Sequence, residues 1–151
     1  MITVESTPLP DSRLPFHMQA TPVLLAMCIF GEARGEIPEA QYAVGCVVRN
    51  RVENGRYGTG WTWVILKPYQ FSSFNADDPN RAKLMEPKKH EPPEVWWRCY
   101  VAADMVMRHF DGDPTHGAVF YFSGPLTEPP AAWGPVIETA VIGHLHFCRP
   151  A

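Results

Sequence analysis

The sequence predicts an α+β fold, mainly α, built as one domain with a small β-ribbon. Three observations predict it. Apolar residues recur at helical spacing in three segments, across 23–30, 40–52 and 95–110. Two short segments late in the chain, Ala118–Phe122 (AVFYF) and His144–Cys148 (HLHFC), carry the apolar and aromatic density of strands. The 151 residues suffice for one core, and 46% of them are hydrophobic, which excludes global disorder. The 16 prolines and 11 glycines act as punctuation between the periodic segments.

Residues 1–19 read as an irregular arm, and residues 20–151 as the folded unit. Thr21 caps the first helix, with Pro22 in its first turn. Val23, Leu24, Met27, Cys28 and Phe30 set its apolar spacing, which runs to Arg34, and Gly35 is placed to stop it. Pro38 opens the second helix; Ala40, Ala43, Val44, Val47, Val48 and Val52 form its apolar face, and Gly55 ends it. A glycine-rich turn (55–60) and a short helix (TWVILKP) follow. Residues 69–92 form a long polar stretch, of a length that is usually functional or mobile in a compact domain. Pro92, Pro93 and Glu94 open the third long helix, which runs to Phe110 and stops at Asp111-Gly112. The two strand-like segments are expected to pair, with a proline-rich loop and Trp133 between them. No internal repeat or domain linker is visible.

The formal net charge is −3, and the one basic run, Lys88-Lys89-His90, is short. This excludes the basic stripe of a nucleic-acid binder. No segment approaches the roughly 20 apolar residues of a membrane span. The polar, proline-rich N-terminus has no apolar core of a signal peptide, so the expectation is synthesis in the cytoplasm and delivery by another agent. The four cysteines (28, 46, 99 and 148) fit no zinc framework and are expected as buried free thiols.

Unusual residues cluster where the first two helices meet, at Phe30-Gly-Glu-Ala-Arg-Gly-Glu-Ile37. Glu32 falls near the C-terminal end of the first helix and Glu36 in the connection. The negative end of the helix dipole, together with partial burial, should raise the pKa of Glu32. A raised carboxyl pKa suits a general acid near neutral pH. Gly31 and Gly35 leave room around that carboxyl for a bulky substrate. The bland alternative is a pair of surface charges with Arg34 as a solvated neighbour.

Further segments bear on this choice. The junction is followed by Gln41-Tyr-Ala-Val-Gly, Val47-Val-Arg-Asn-Arg-Val52, Gln70-Phe71-Ser72, Pro114-Thr-His-Gly-Ala-Val-Phe-Tyr121 and Ile142-Gly-His-Leu-His-Phe147. In this order they resemble the cell-wall hydrolases of the spore-cortex-lytic (SleB) type, over roughly residues 22–148. The resemblance implies a lysozyme-like fold. It implies cleavage of peptidoglycan between N-acetylmuramic acid and N-acetylglucosamine, with Glu32 as catalytic acid and no cofactor. It makes residues 20–151 a catalytic domain. Without further modules or a leader, the chain resembles a phage-type endolysin acting on the cell wall after release, and a monomer is expected. Against an anionic wall, the weak charge points to recognition by shape and hydrogen bonds.

The carboxylates weigh the chemistry. Hydrolysis needs a second carboxylate to activate water or to act as nucleophile. A lytic transglycosylase needs one glutamate, acting first as acid and then as base. No second acidic residue has a setting like that of Glu32, although Asp77 and Asp78 are fallback partners, so transglycosylase chemistry is favoured over a muramidase or a stem-peptide amidase. A non-catalytic peptidoglycan-binding module would be expected to lose Glu32, which is retained.

The substrate-binding candidates are Gln70, Phe71, Ser72, Tyr121, Thr139 and Glu36. Gln70, Ser72, Ser73 and Asn75 offer neutral hydrogen-bonding groups, and Phe71 and Phe74 offer faces for sugar rings. Tyr121 either reaches the cleft from its strand or packs in the core, and Thr139 is a candidate for the cleft lining. The alternative role for Glu36 is to hold Arg34 or the junction. Asn50 reads as a structural polar residue. His144 and His146 form a His-x-His pair that would bind metal only with a third ligand such as His116; packing or hydrogen bonding is the plainer role. Most of the five tryptophans are core candidates, with Trp133 a candidate for the groove.

Overall fold

A helix that is apolar on every side lies at the centre of the molecule. In the computed structural model, which describes residues 1–151, α1 spans Thr21–Ala33, and Val23 to Phe30 are all buried. An all-round apolar helix has to be covered on every side. The covering comes chiefly from α2 (Pro38–Asn54) and α6 (Pro93–Met107), completed by α3 (Gly60–Leu66) and α4 (Arg81–Met85). Trp96 of α6 is fully buried and meets Phe30 edge-on at 6.0 Å.

The helix ends differ from expectation in detail. Thr21 is the first helical residue, not the cap. Gly35 does not stop α1. Instead the Ala33 carbonyl accepts both the Glu36 amide (3.0 Å) and the side-chain amide of Gln41, fully buried on α2 (3.1 Å). Gly55, at φ 80°, does end α2 as its position predicts. The third long helix stops at Met107, short of Phe110. His109 turns left-handed (φ 51°), and the amides of His109 and Phe110 bond back to Val106 and Met105.

The stretch 69–92 is more ordered than its polarity suggests. It holds a 3-10 turn at Ser72–Phe74, then α4 and α5 (Pro87–His90), and is anchored by buried Phe71, Ser73 and Leu84. The irregular arm is also tied down. The indoles of Trp96 and Trp97 donate to the carbonyls of Pro8 (2.9 Å) and Ile2 (2.8 Å). All four cysteines are free and buried, but Trp63 is 65% exposed, against its expected core role.

The expected ribbon is present as β1 (Phe120–Phe122) against β3 (Leu145–Pro150), antiparallel, with Tyr121 opposite Phe147. A third strand, β2 (Val136–Ile142), occupies part of what reads as loop, giving the order β1-β3-β2. A bulge at Thr139, between Glu138 opposite Cys148 and Ala140 opposite Phe147, breaks the two-residue alternation that would have marked this strand. No helix is long and apolar enough to cross a membrane.

Candidate active site

Glu32 sits in the last turn of α1, where the buried helix reaches the surface. Alternation along β1 turns Tyr121 towards α1 while Phe120 and Phe122 share the other face. Tyr121 packs on Phe147 (5.9 Å between rings) and its hydroxyl donates to Oε1 of Glu32. The strand and the helix therefore meet at a phenol–carboxyl contact.

The last turns of α2 hold that strand in place. Asn50 donates to the Ala118 carbonyl (2.9 Å) and to Oδ2 of Asp113 (2.9 Å). Arg51, 7% exposed, donates its Nε to the Val119 carbonyl (2.7 Å) and its Nη1 to Oε1 of Gln70 (3.1 Å). Its guanidinium lies over the rings of Tyr57, Phe71 and Phe120 at 5.2–5.9 Å. Asp113 also accepts from the amide and hydroxyl of Thr115 and the amide of Gly117, folding the segment that leads into β1.

The structure brings Glu32, Tyr121 and, through Arg51, Gln70 together. Ser72 is exposed beside Gln70. Phe71 is only 2% exposed, so it packs beneath Arg51 and presents no face to a sugar. Phe74 meets Phe16 edge-on. Gly31 does not leave room for substrate. A Cβ there would lie 2.6 Å from the Ser73 hydroxyl and 3.2 Å from Leu84, so the glycine admits protein, not ligand. Thr139 is half-buried at the bulge and donates to the Phe147 carbonyl at 3.3 Å.

Glu36 is held by neither Arg34 nor Glu32. Its two oxygens meet the amide (2.9 Å) and Nδ1 (3.0 Å) of His144 in the β2–β3 turn. Gly143 stands left-handed there (φ 59°), and a Cβ would come 2.6 Å from the Glu36 carboxylate. Arg34 instead pairs with Glu91 and Asn80. His146 bonds Glu138 at 2.7 Å, so the two histidines serve different carboxylates, and no group of three such side chains converges. Trp133 stacks on Phe120 at 4.6 Å. A cavity of ≈ 610 Å³ between the start of α2 and α6 is lined by neither Glu32 nor Tyr121.

A family model described as cell wall hydrolase matches residues 35–148, three-quarters of the chain. The chain belongs to the cell wall hydrolase family. The match begins three residues after Glu32. The spore cortex-lytic enzyme of Bacillus subtilis (strain 168) is 32% identical over 128 residues, covering 83% of this chain and 36% of that protein, so the hydrolase spans about a third of its relative's length. Two solved structures share the fold. The catalytic domain of the germination-specific lytic transglycosylase SleB from Bacillus anthracis superposes with TM-score 0.60 at 23% identity, over 93% of this chain and 100% of that one. The catalytic domain of the Bacillus cereus SleB protein gives 0.58 at 22%, over 93% and 95%.

Electrostatics in this cell wall hydrolase single out Glu32. Burial raises its pKa, the Tyr121 hydrogen bond and the Arg51 charge pull it back down, and Asp78 adds repulsion; the net shift is upward. The pKa of Glu36 moves the other way. Burial opposes its charge, but the bonds from His144 outweigh burial and lower the value. Arg51 and Asp113 belong to no catalytic-pair motif. Their signals were nevertheless present. Arg51 continues the core spacing Val44-Val47-Val48, where a charge is out of place, and Asp113 opens an Asp-Pro-Thr turn.

Proposed function

We propose that this cell wall hydrolase cuts peptidoglycan strands between N-acetylmuramic acid and N-acetylglucosamine as a lytic transglycosylase, with Glu32 as the one catalytic carboxyl. The observation that carries the reading is the Glu32 side chain. Burial raises its pKa, and its one hydrogen-bond partner is a neutral phenol. Because the Tyr121 hydroxyl occupies Oε1 as donor, the acidic proton belongs on Oε2. In the first step Glu32 gives that proton to the glycosidic oxygen as the bond from the muramyl C1 breaks. The carboxylate then takes the proton of the muramyl C6 hydroxyl, whose oxygen closes on C1 to give the 1,6-anhydro ring. Water takes no part.

Glu36 is a poor second carboxylate, since both its oxygens are engaged by His144. We assign it to fixing the hairpin beside the cleft. Gln70 and Ser72 are proposed to meet the glycan, with Phe71 supporting them from below, and Thr139 to shape the cleft through the bulge. The catalytic unit is proposed as residues 20–151. Action as a monomer is proposed. The substrate puts the site of action at the cell wall.

One observation favours hydrolysis as the second reading. Asp78 lies near enough to repel the charge of Glu32 and could activate water. Mass analysis of digested peptidoglycan separates the two. Anhydro-muropeptides are expected; reducing muramyl ends would establish hydrolysis, and free stem peptides would overturn glycan cleavage altogether.

A further inference from the structure

We infer that Arg51 is a positioning residue of this site: its guanidinium holds together the strand bearing Tyr121 and the side chain of Gln70, and supplies the positive charge that makes the Glu32 carboxylate tolerable between the two proton transfers. The inference rests on the proposed function for its timing, while its structural half stands on contacts.

Those contacts form a single device. Arg51 fixes the residue before Tyr121 through the Phe120 ring and the residue before that through the Val119 carbonyl. From the same group, Nη1 holds Gln70 by its side-chain oxygen, leaving the Gln70 amide free to point to a ligand. A planar fork can hold two acceptors in different directions while lying flat between rings, which a lysine ammonium cannot do. Arg51 is buried yet takes part in no ion pair. Burial depresses its own pKa, and the groups that face it are the neutral Tyr121, Tyr57 and Cys28 and the carboxyl of Glu32. A buried cation without a carboxylate partner is costly to keep. It becomes useful when a carboxylate forms nearby, and the proposed reaction forms one at Glu32.

The groups facing Glu32 are Cys28 on α1, Tyr121 on β1, Arg51 on α2 and Asp78 ahead of α4. Arg51 is the one cation among them. Without it, the Tyr121 bond alone offsets burial and Asp78, so the carboxylate is harder to form and the acid gives up its first proton less readily.

The test uses the full ¹³C-labelled chain as wild type, Arg51→Gln and Arg51→Lys. Two readouts are taken: the carboxyl resonance of Glu32 against pH, and kcat and KM on peptidoglycan against pH. In Arg51→Gln, Glu32 titrates at higher pH than in wild type, and kcat/KM falls about 10- to 100-fold. In Arg51→Lys the titration stays near wild type while KM rises several-fold, because Gln70 is released. An unmoved Glu32 midpoint in Arg51→Gln, or a wild-type KM in Arg51→Lys, overturns the inference. If Arg51→Gln fails to fold, Gln70→Ala takes its place. Its KM should match that of Arg51→Lys, and a wild-type KM there overturns the inference. A wild type that releases no glycan fragments defeats the proposed function, and the titration still decides the role of Arg51.

Discussion

Glu32 and Glu36 stand four residues apart in one motif, yet the fold gives them opposite settings. Glu32 closes a buried helix, faces a phenol, and has its pKa raised chiefly by burial. Glu36 lies in the connection, binds the backbone and ring of His144, and has its pKa lowered despite burial. The first is poised to give up a proton. The second is fixed as an anion that pins a turn. Chemistry here follows from where the chain stops being helical, more than from the identity of the side chain.

The largest expected effect comes from Glu32→Gln, which keeps the shape and removes the proton. Lysis of peptidoglycan suspensions should fall at least about 10³-fold, within the range assigned to general acids. The same substitution should raise the melting temperature at neutral pH. A carboxyl whose pKa is raised by folding binds more protons folded than unfolded, so stability drops as pH rises from the unfolded value of 4.5 through the folded one. At pH below 4.5 the variant and the wild type should melt alike. A variant that is less stable at neutral pH would show that Glu32 is a structural anion like Glu36.

Gly31→Ala probes the burial itself. Its Cβ would fall 2.6 Å and 2.7 Å from the Ser73 side chain, and overpacking of this kind costs about 1–3 kcal/mol, read by denaturant unfolding. Adding Ser73→Gly should restore most of the loss; no recovery would mean that the contact is not what limits position 31. Tyr121→Phe removes the one donor to Glu32. Activity should fall about tenfold, the equivalent of one hydrogen bond of ~1.4 kcal/mol, with the pH profile moved to higher pH because that bond lowers the Glu32 pKa.

The smallest effect is expected from Glu36→Gln. Loss of the charged bonds to His144 should cost about 1 kcal/mol at neutral pH. Here the sign reverses. A lowered carboxyl pKa contributes stability that is full above 4.5 and is lost as pH falls through the folded value, so the deficit of the variant should vanish in acid. Melting curves at neutral and acid pH check this.

The three long helices and the β1–β3 pairing were legible because period and composition agree with tertiary burial. The β2 strand was hidden by the bulge at Thr139, and α4 and α5 by a polar surface over one buried residue each, Leu84 and Pro87. In the site, Glu32 was legible from its motif and helix end. Its partner Tyr121 was an open choice, since alternation along three residues of β1 does not say which face is inner. Gly31, read as space for substrate, proved to be space for Ser73. The role of Arg51 was not legible, because a sequence does not show that an arginine on a core face has carbonyls and rings to receive it.

The most direct test of this contrast is to titrate both carboxyls in one ¹³C spectrum of the wild-type chain. Glu32 is predicted to titrate above the ordinary 4.5 and Glu36 below it. Coincident midpoints, or the reverse order, would contradict the assignment of Glu32 as the acid and Glu36 as the anchor.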